Sequence, residues 1–104
     1  DMIWYSGVNI YPSAIEEAVR SIDAFNHEFQ IVLDGNGANP SLTVKLETND
    51  QINGSVLDEL AAQAAEKVQQ AIRVKANIEI SPPGTLPRDD IGNKVGRVVD
   101  NRTD

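Results

Sequence analysis

The sequence predicts an α+β fold of the ferredoxin-like βαββαβ kind, in which two helices pack on one face of an antiparallel or mixed sheet. Two observations support this prediction: two segments have apolar residues at helical spacing, and short extended segments precede, separate and follow them. The predicted order is strand, helix, strand, strand, helix, strand, followed by an irregular C-terminal tail. A length of 104 residues suits a single domain, with a core over residues 1–81 and a tail over residues 82–104.

The chain begins with two short extended segments joined by a turn. Residues 2–5 are apolar or aromatic and form the first strand, and residues 8–11 form a second extended piece. Ser6 and Gly7 lie between them and form the turn, a place where glycine is favoured.

The first helix is predicted to start at Pro12 or one residue later. Pro12 suits the first turn of a helix, whereas Ser13 and Glu16 have the spacing of a capping box, in which Glu16 acts as the capping acid. The helix is expected to end near Asp23. Its apolar face has the spacing i, i+3, i+4, i+7 and consists of Ile15, Ala18, Val19 and Ile22.

The next part of the chain predicts two antiparallel strands joined by a loop. Residues 28–33 are mostly apolar and form a buried strand, and residues 34–40 are dense in turn residues. Residues 41–48 alternate between apolar and polar side chains, which is typical of a strand with one face in water. The apolar set is Leu42, Val44 and Leu46, and the polar set is Thr43, Lys45 and Glu47.

The second helix is predicted to begin at Ser55, a favourable N-cap, with Asp58 and Glu59 in a first turn where the helix dipole favours acids. Small alanines on its apolar face would let it lie close to the sheet. Residues 77–81 alternate again and form the last strand, which Pro82 ends because proline cannot continue a ladder. The apolar face consists of Leu57, Leu60, Ala61, Ala64, Val68, Ala71 and Ile72.

The composition excludes several kinds of site and partner. The chain has no cysteine and a single histidine, His27, so disulfides and the usual zinc clusters are excluded, and we predict no metal site on it. A formal net charge of −7 argues against a nucleic-acid partner. No apolar stretch is long enough to cross a membrane, and we expect a cytoplasmic protein.

The charge is unevenly distributed, and the tail is the place where a phosphate would bind. Residues 1–81 carry twelve acidic and five basic residues, whereas residues 82–104 carry four of each. Almost half of the positive charge therefore lies in the tail. Its basic residues are Arg88, Lys94, Arg97 and Arg102.

Three segments carry a resemblance to a known family. Asp1 and Met2 are followed by the run GVNIYPSAIEE over residues 7–17, and the tail contains PPGTLPR over residues 82–88 and KVGRVVDNR over residues 94–102. In this order they resemble the C-terminal domain of phenylacetate–CoA ligases and related adenylate-forming enzymes. The matches lie at both ends, so the resemblance covers essentially the whole chain.

The resemblance implies a two-step ligase. A carboxylic acid and ATP give an acyl adenylate and pyrophosphate, and coenzyme A then displaces AMP to form a thioester. It also implies a larger N-terminal domain of the same polypeptide, absent from this chain, that holds the nucleotide, Mg²⁺ and the acid. The small domain closes over that domain in two orientations, one for each step, and the isolated chain is expected to be inactive.

The resemblance also assigns roles to individual residues. Lys94 matches the lysine that stabilises negative charge on the carboxylate and α-phosphate during adenylation. Gly7, Val8 and Asn9 match the hairpin that faces the active site and coenzyme A during thioester formation, and Asp1 lies next to the hinge. Asn93 stands where the family usually has glycine, in a loop about two residues longer.

Other interpretations of these residues stay open. Without the resemblance, Lys94 is a solvated surface charge and Gly7 is an ordinary turn glycine. Arg97 is expected to form an ion pair with Asp100 or another neighbour. The whole chain could be a free-standing small-molecule-binding or regulatory module of ferredoxin-like fold, or an inactive remnant of a ligase. The substrate expected from the family is an aryl or arylacetic acid.

Overall fold

The computed structural model describes residues 2–36, 38–86 and 97–102, which form two helices and two sheets. Two short strands precede the first helix, two long strands separate the helices, and two further strands follow the second helix. The elements are β1 Ile3–Tyr5, β2 Val8–Ile10, α1 Pro12–Arg20, β3 Phe25–Gly35, β4 Pro40–Thr48, α2 Ser55–Ile72, β5 Asn77–Ser81 and β6 Val98–Asp100.

The main sheet has four strands in the order β5-β4-β3-β6. β3 and β4 pair antiparallel, as the sequence predicts, whereas β5 pairs parallel to β4 and β6 pairs parallel to β3. The sheet is therefore mixed. The two helices cover one face of it, which confirms the predicted α+β fold class.

The core lies between that face of the sheet and the two helices. The apolar residues of β4 predicted from the alternation are all buried there, together with alternate residues of β3. Burial of each such side chain favours folding by about 1.5–3 kcal/mol. The residues contributed by the sheet are Phe29, Ile31, Leu33, Leu42, Val44 and Leu46, and those contributed by the helices are Ile15, Val19, Leu60, Ala64, Val68 and Ile72.

The prediction of an irregular tail is wrong for residues 98–100. Val98, Val99 and Asp100 pair in parallel with Ile31, Val32 and Leu33 and form β6. In a ferredoxin-like fold the strand before the first helix belongs to the main sheet, but here β1 and β2 form a separate hairpin. With that strand absent from the main sheet, β4 and β5 pair directly, and β6 pairs with the outer edge of β3 and satisfies its backbone groups.

The first helix starts at Pro12, one of the two predicted positions, but its capping and its C-terminal end differ from the prediction. Tyr11 is the N-cap and makes no side-chain capping bond, so Ser13 lies inside the helix and the capping box is not formed. Glu16 instead accepts a hydrogen bond of 2.6 Å from Arg20, one turn later. The helix ends at Arg20, three residues earlier than predicted, and the hydroxyl of Ser21 donates to the carbonyl of Ala18.

The second helix also begins differently. Gly54, with a φ of 66°, is its N-cap, and Ser55 is its first helical residue. Most of the predicted apolar face is at least half-buried, but Ala71 is exposed. Arg73 closes the helix in the left-handed conformation. No helix in the part of the chain that the structure describes is long and apolar enough to cross a membrane.

The prediction that one face of β4 is in water is wrong. Thr43 and Glu47 are buried although they lie on the face opposite the helices, and Thr48 is also buried. Leu86, only 6% exposed, lies where its backbone can reach Glu47, so the first residues of the tail cover this face. The alternation of β4 predicted the side on which each residue lies, but not this second cover.

Candidate functional site

The β1–β2 hairpin presents the first group of predicted site residues. Its turn consists of Ser6, with a φ of 50°, and Gly7, with a φ of 82°. Two successive positive φ values are what a type I′ hairpin turn requires. A Cβ added at Gly7 would meet no atom within 4 Å. Glycine is therefore favoured here by the backbone conformation, and the space around the turn is open.

The two faces of this hairpin have different environments. Ile3, Tyr5 and Ile10 are buried in the core, and they hold the hairpin against the rest of the domain. Trp4 lies opposite Asn9 on the outer face, and this residue is 59% exposed.

The end of the chain is tied to this hairpin by a hydrogen-bonded group that we call the clasp: Asp100, Arg102 and the carbonyl of Trp4. Arg102 Nη1 donates to the Trp4 carbonyl over 2.6 Å. The same guanidinium donates to both carboxylate oxygens of Asp100, from Nε to Oδ1 at 2.9 Å and from Nη2 to Oδ2 at 2.8 Å. Arg102 of the third motif segment thus contacts the hairpin, although Trp4 and Arg102 lie 98 positions apart in the sequence.

The clasp changes the acidity of its carboxyl group. The hydrogen bond from the Arg102 side chain, followed by one from its backbone N–H, lowers the pKa of Asp100 from 3.8 to about 2. The hydrogen bonds that the Arg102 side chain donates to Asp100 in turn raise the pKa of Arg102. Because the carboxylate is exposed, this pair contributes mainly orientation rather than stability.

The first residues of the tail, Gly84 and Leu86, are held by a buried carboxylate. Glu47 has no exposed surface. Its Oε1 accepts hydrogen bonds from Asn26 Nδ2 at 2.8 Å and from the backbone N–H of Gly84 at 2.9 Å, and its Oε2 accepts one from the N–H of Leu86 at 2.8 Å. These bonds compensate for removing the carboxylate from water.

Arg97 is bound to strand β3 through both its side chain and its backbone. Its Nη1 donates to the carbonyl of Phe29 at 2.9 Å, its guanidinium lies 4.4 Å from the centre of the Phe29 ring, and Glu28 lies 3.8 Å away. The Arg97 carbonyl accepts a hydrogen bond of 2.6 Å from the N–H of Ile31. The expected ion pair of Arg97 is therefore with Glu28, and Asp100 pairs with Arg102 instead.

The structure places some of the predicted site residues and not others. Gly7 and Asn9 are exposed at the hairpin and Val8 is half-buried there. Lys94, the predicted adenylation lysine, and Asp1, the predicted hinge neighbour, lie outside the described residues. Glu47 was missed as a functional candidate because its alternation suggested a solvent-facing side chain.

The described residues offer binding and positioning rather than acid–base chemistry. Across residues 2–36, 38–86 and 97–102 there is no group of three or more His, Asp or Glu side chains that could hold a metal ion. The exposed hairpin provides backbone groups and an aromatic surface, and the buried Glu47 fixes the start of the tail. The lysine predicted to supply the catalytic charge, Lys94, lies outside these residues.

Comparisons of the sequence with family models and with curated proteins point to the same family. Residues 7–102 match the model of the AMP-binding enzyme C-terminal domain. The chain is 31% identical over 106 residues to the phenylacetate-coenzyme A ligase of Aromatoleum evansii, an alignment that covers 98% of this chain and 24% of the relative. It therefore spans about a quarter of the length of that ligase.

Solved structures show the same fold. A domain of phenylacetate-coenzyme A ligase from Bacteroides vulgatus superimposes with a TM-score of 0.86 at 27% identity, covering 99% of this chain and 94% of that one. A 2-hydroxyisobutyryl-CoA ligase, in complex with its acyl adenylate and coenzyme A in the thioesterification state, has a TM-score of 0.84 at 28% identity, covering 98% of this chain and 21% of the ligase.

Proposed function

The chain belongs to the family of AMP-binding enzyme C-terminal domains, and from this premise we propose that it is the lid domain of an ATP-dependent carboxylate–CoA ligase. The observation that carries the proposal is the extent of the match, since residues 7–102 include Gly7, Val8 and Asn9 of the hairpin and the end of the tail. A free-standing regulatory module needs neither segment. The chain's partner is then an N-terminal adenylate-binding domain in the same polypeptide.

In the adenylation step, Lys94 is the proposed catalytic residue. Attack of the carboxylate oxygen on the α-phosphorus forms a new P–O bond and releases pyrophosphate, and negative charge builds up on the phosphoryl oxygens. An ammonium group held against that charge in a closed, drier site stabilises the transition state. Support comes from the sequence, because Lys94 stands three residues before Arg97 in the motif that ends the family match.

In the thioester step, the proposed contribution comes from Gly7, Val8 and Asn9. The thiolate of coenzyme A attacks the acyl carbon, a C–S bond forms and AMP leaves. The turn at Gly7 is open and exposed, which allows a long, narrow substrate to pass close to the backbone. A similar ligase has been captured with acyl adenylate and coenzyme A in this step.

ATP and coenzyme A are the proposed co-substrates, and an aryl or arylacetic acid is the proposed acyl donor, in line with the phenylacetate ligase among the relatives. Mg²⁺ would accompany ATP in the N-terminal domain. The described residues of this chain hold no group of donors that fits a metal ion, and we assign no step of this domain to one. We propose that the ligase acts in the cytoplasm.

The test is an assay of the full-length protein that contains this chain. With phenylacetate, benzoate and a panel of aliphatic acids, we expect acid-dependent exchange of pyrophosphate into ATP for at least one acid. Addition of coenzyme A should then give a thioester and AMP in equal amounts. Fatty acids serve as the comparison for substrate class.

Two results would contradict the proposal. Absence of exchange with every acid, in a folded protein that binds ATP, would remove the ligase assignment. Exchange without thioester formation would leave an adenylating enzyme that passes its acyl group to an acceptor other than coenzyme A.

A further inference from the structure

The clasp holds a backbone group at the edge of the hairpin. Tyr5 and Val8 flank a two-residue turn and form a hydrogen-bonded pair, so the next pair, Trp4 with Asn9, is non-hydrogen-bonded. In such a pair the backbone carbonyl points away from the neighbouring strand, and the Trp4 carbonyl therefore faces outward from β2. Arg102 Nη1 donates to this carbonyl at 2.6 Å. The bond attaches the free edge of β1 to the segment that follows β6.

Arg102 is itself fixed to the main sheet. Asp100 pairs with Leu33 in β6, and the N–H of Asn101 continues this pairing by donating to the Leu33 carbonyl at 2.7 Å. Leu33 lies in the core and is 1% exposed. The backbone N–H of Arg102 donates to Asp100 Oδ1 at 3.1 Å, and its side chain donates to both oxygens of the same carboxylate. Because the donors of a guanidinium are fixed in one plane, this contact sets the direction in which Nη1 points.

Apolar packing alone does not fix the hairpin in every direction. Ile3, Tyr5 and Ile10 bury its inner face in the core, but hydrophobic contact is non-directional, and a two-stranded hairpin by itself is only marginally stable in water. A hydrogen bond at one edge depends on both distance and angle, so it resists sliding and rotation of the hairpin over the core. Arg102 therefore supplies a positional restraint that the apolar face lacks.

This restraint lies close to the turn of the hairpin. Trp4 precedes the turn residues Ser6 and Gly7 by two and three positions. The turn contains only these two residues, with φ values of 50° and 82°, and a turn of this length leaves little freedom between its tip and the paired strands. A displacement of β1 consequently moves Gly7 with it.

We propose that Arg102 is a positioning residue for thioester formation, which acts through the Trp4 carbonyl and fixes the hairpin whose turn contains Gly7. This rests on the proposed function, because it assumes that the hairpin faces coenzyme A in that step. Asp100 orients the guanidinium and neutralises its charge, so Arg102 serves the hairpin rather than a phosphate group of the substrate.

The experiment uses Arg102→Ala in the full-length ligase. We expect thioester formation from supplied acyl adenylate to slow by about 10- to 100-fold, the scale of a displaced group beside a reacting centre. Acid-dependent pyrophosphate exchange should stay within about twofold, because adenylation does not use the hairpin. Amide hydrogen exchange, followed by mass spectrometry, should become about tenfold faster or more in peptides from residues 2–11, but not in peptides from residues 42–48.

Three further variants sharpen the experiment. Arg102→Lys keeps a donor for the Trp4 carbonyl but loses the planar fork, so it should retain part of the rate. Asp100→Asn removes one acceptor oxygen and the charge, and should slow thioester formation selectively but to a smaller degree, which keeps the proposal testable if Arg102→Ala folds poorly. Arg20→Ala breaks another exposed ion pair, with Glu16 on α1, and should leave both half-reactions unchanged.

Three results would overturn the positioning role alone. The first is unchanged hydrogen exchange in the hairpin of Arg102→Ala, or unchanged thioester formation in that variant when Gly7→Asn slows the step. The second is an equal loss in both half-reactions, which would show a purely structural arginine. The third is a lower KM for coenzyme A in Asp100→Asn at unchanged kcat, which would show that Arg102 binds the substrate phosphates directly.

Failure of the proposed function gives a different pattern. If the parent enzyme forms no thioester, or Gly7→Asn leaves that step unchanged, the hairpin has no part in it. The role of Arg102 in the step then fails as well, whatever the hydrogen exchange of the hairpin.

Discussion

Glu47 Oε2 accepts a hydrogen bond of 2.8 Å from the backbone N–H of Leu86, 39 residues further along the chain. This bond joins the middle of the sheet to the start of the tail. The clasp between Arg102 and the Trp4 carbonyl joins the end of the tail to the first hairpin. The tail is thus attached to the domain near each of its ends.

The clasp predicts an unusually acidic carboxyl group at Asp100. Its pKa should be about 2 in the folded chain, as measured by following its side-chain carbonyl signal by NMR during an acid titration. Since the folded pKa is below the ordinary 3.8, the pair favours the folded state above about pH 4. That contribution is lost as the pH falls through about 2.

Arg102→Ala is the matched variant for this titration. Removal of the guanidinium should return the pKa of Asp100 towards 3.8, because the Arg102 side chain is the largest cause of the shift. A midpoint near 2 in the variant would show that another group lowers it.

The hairpin predicts a selective effect of substitutions at Gly7. Asparagine tolerates positive φ better than other non-glycine residues, so Gly7→Asn should preserve the turn while placing a side chain in the open space above it. In the full-length ligase we expect thioester formation to slow by about tenfold or more, which corresponds to about 1.4 kcal/mol, with adenylation within about twofold. Half-reaction assays with supplied acyl adenylate measure the difference.

Gly7→Val tests whether the backbone conformation matters separately. A β-branched residue at this φ is strained by about 1–3 kcal/mol, so the free energy of unfolding of the 104-residue chain should fall in urea denaturation.

The half-reaction assays of Gly7→Asn can contradict the role of the hairpin. Equal slowing of both half-reactions by Gly7→Asn would mean that the hairpin has no special part in the second step.

We expect a large loss of stability when Gly35 is substituted, because of its backbone conformation and its close neighbour. It has a φ of 90°, and a Cβ added there would overlap the backbone carbonyl of Asn39. Because both strain and overlap act on backbone atoms, Gly35→Ala should lower the free energy of unfolding by about 2 kcal/mol or more. Gly7→Ala is the control, since its φ is similar but the space is open, and about 1 kcal/mol is expected there. Equal losses would contradict the role of the overlap.

Local patterns were enough to predict much of the fold. The alternation of Leu42, Val44 and Leu46 placed the core face of β4 correctly, because a strand directs every second side chain to one side. The burial of Glu47 on the other face could not be predicted in this way. Its cover comes from Gly84 and Leu86, and no pattern within a strand reports a contact 37 or 39 residues away.

The same limit applies to β6 and to the clasp. Val98 and Val99 have high β-propensity, but three residues are too few for a recognisable strand, and their pairing depends on the open edge of β3. At the site, turn chemistry predicted the position of Gly7. The contact between Trp4 and Arg102 requires the two ends of the chain to be brought together by the whole domain.

The most direct test of the account is the pair of half-reactions in the Lys94→Ala variant of the full-length ligase. Loss of one charged group that stabilises a transition state typically slows a reaction by about 100- to 1,000-fold. We expect that loss in acyl adenylate formation, with thioester formation from supplied acyl adenylate within about twofold and Lys67→Ala, on the exposed side of α2, unchanged in both. An unchanged rate of acyl adenylate formation in Lys94→Ala would contradict the account.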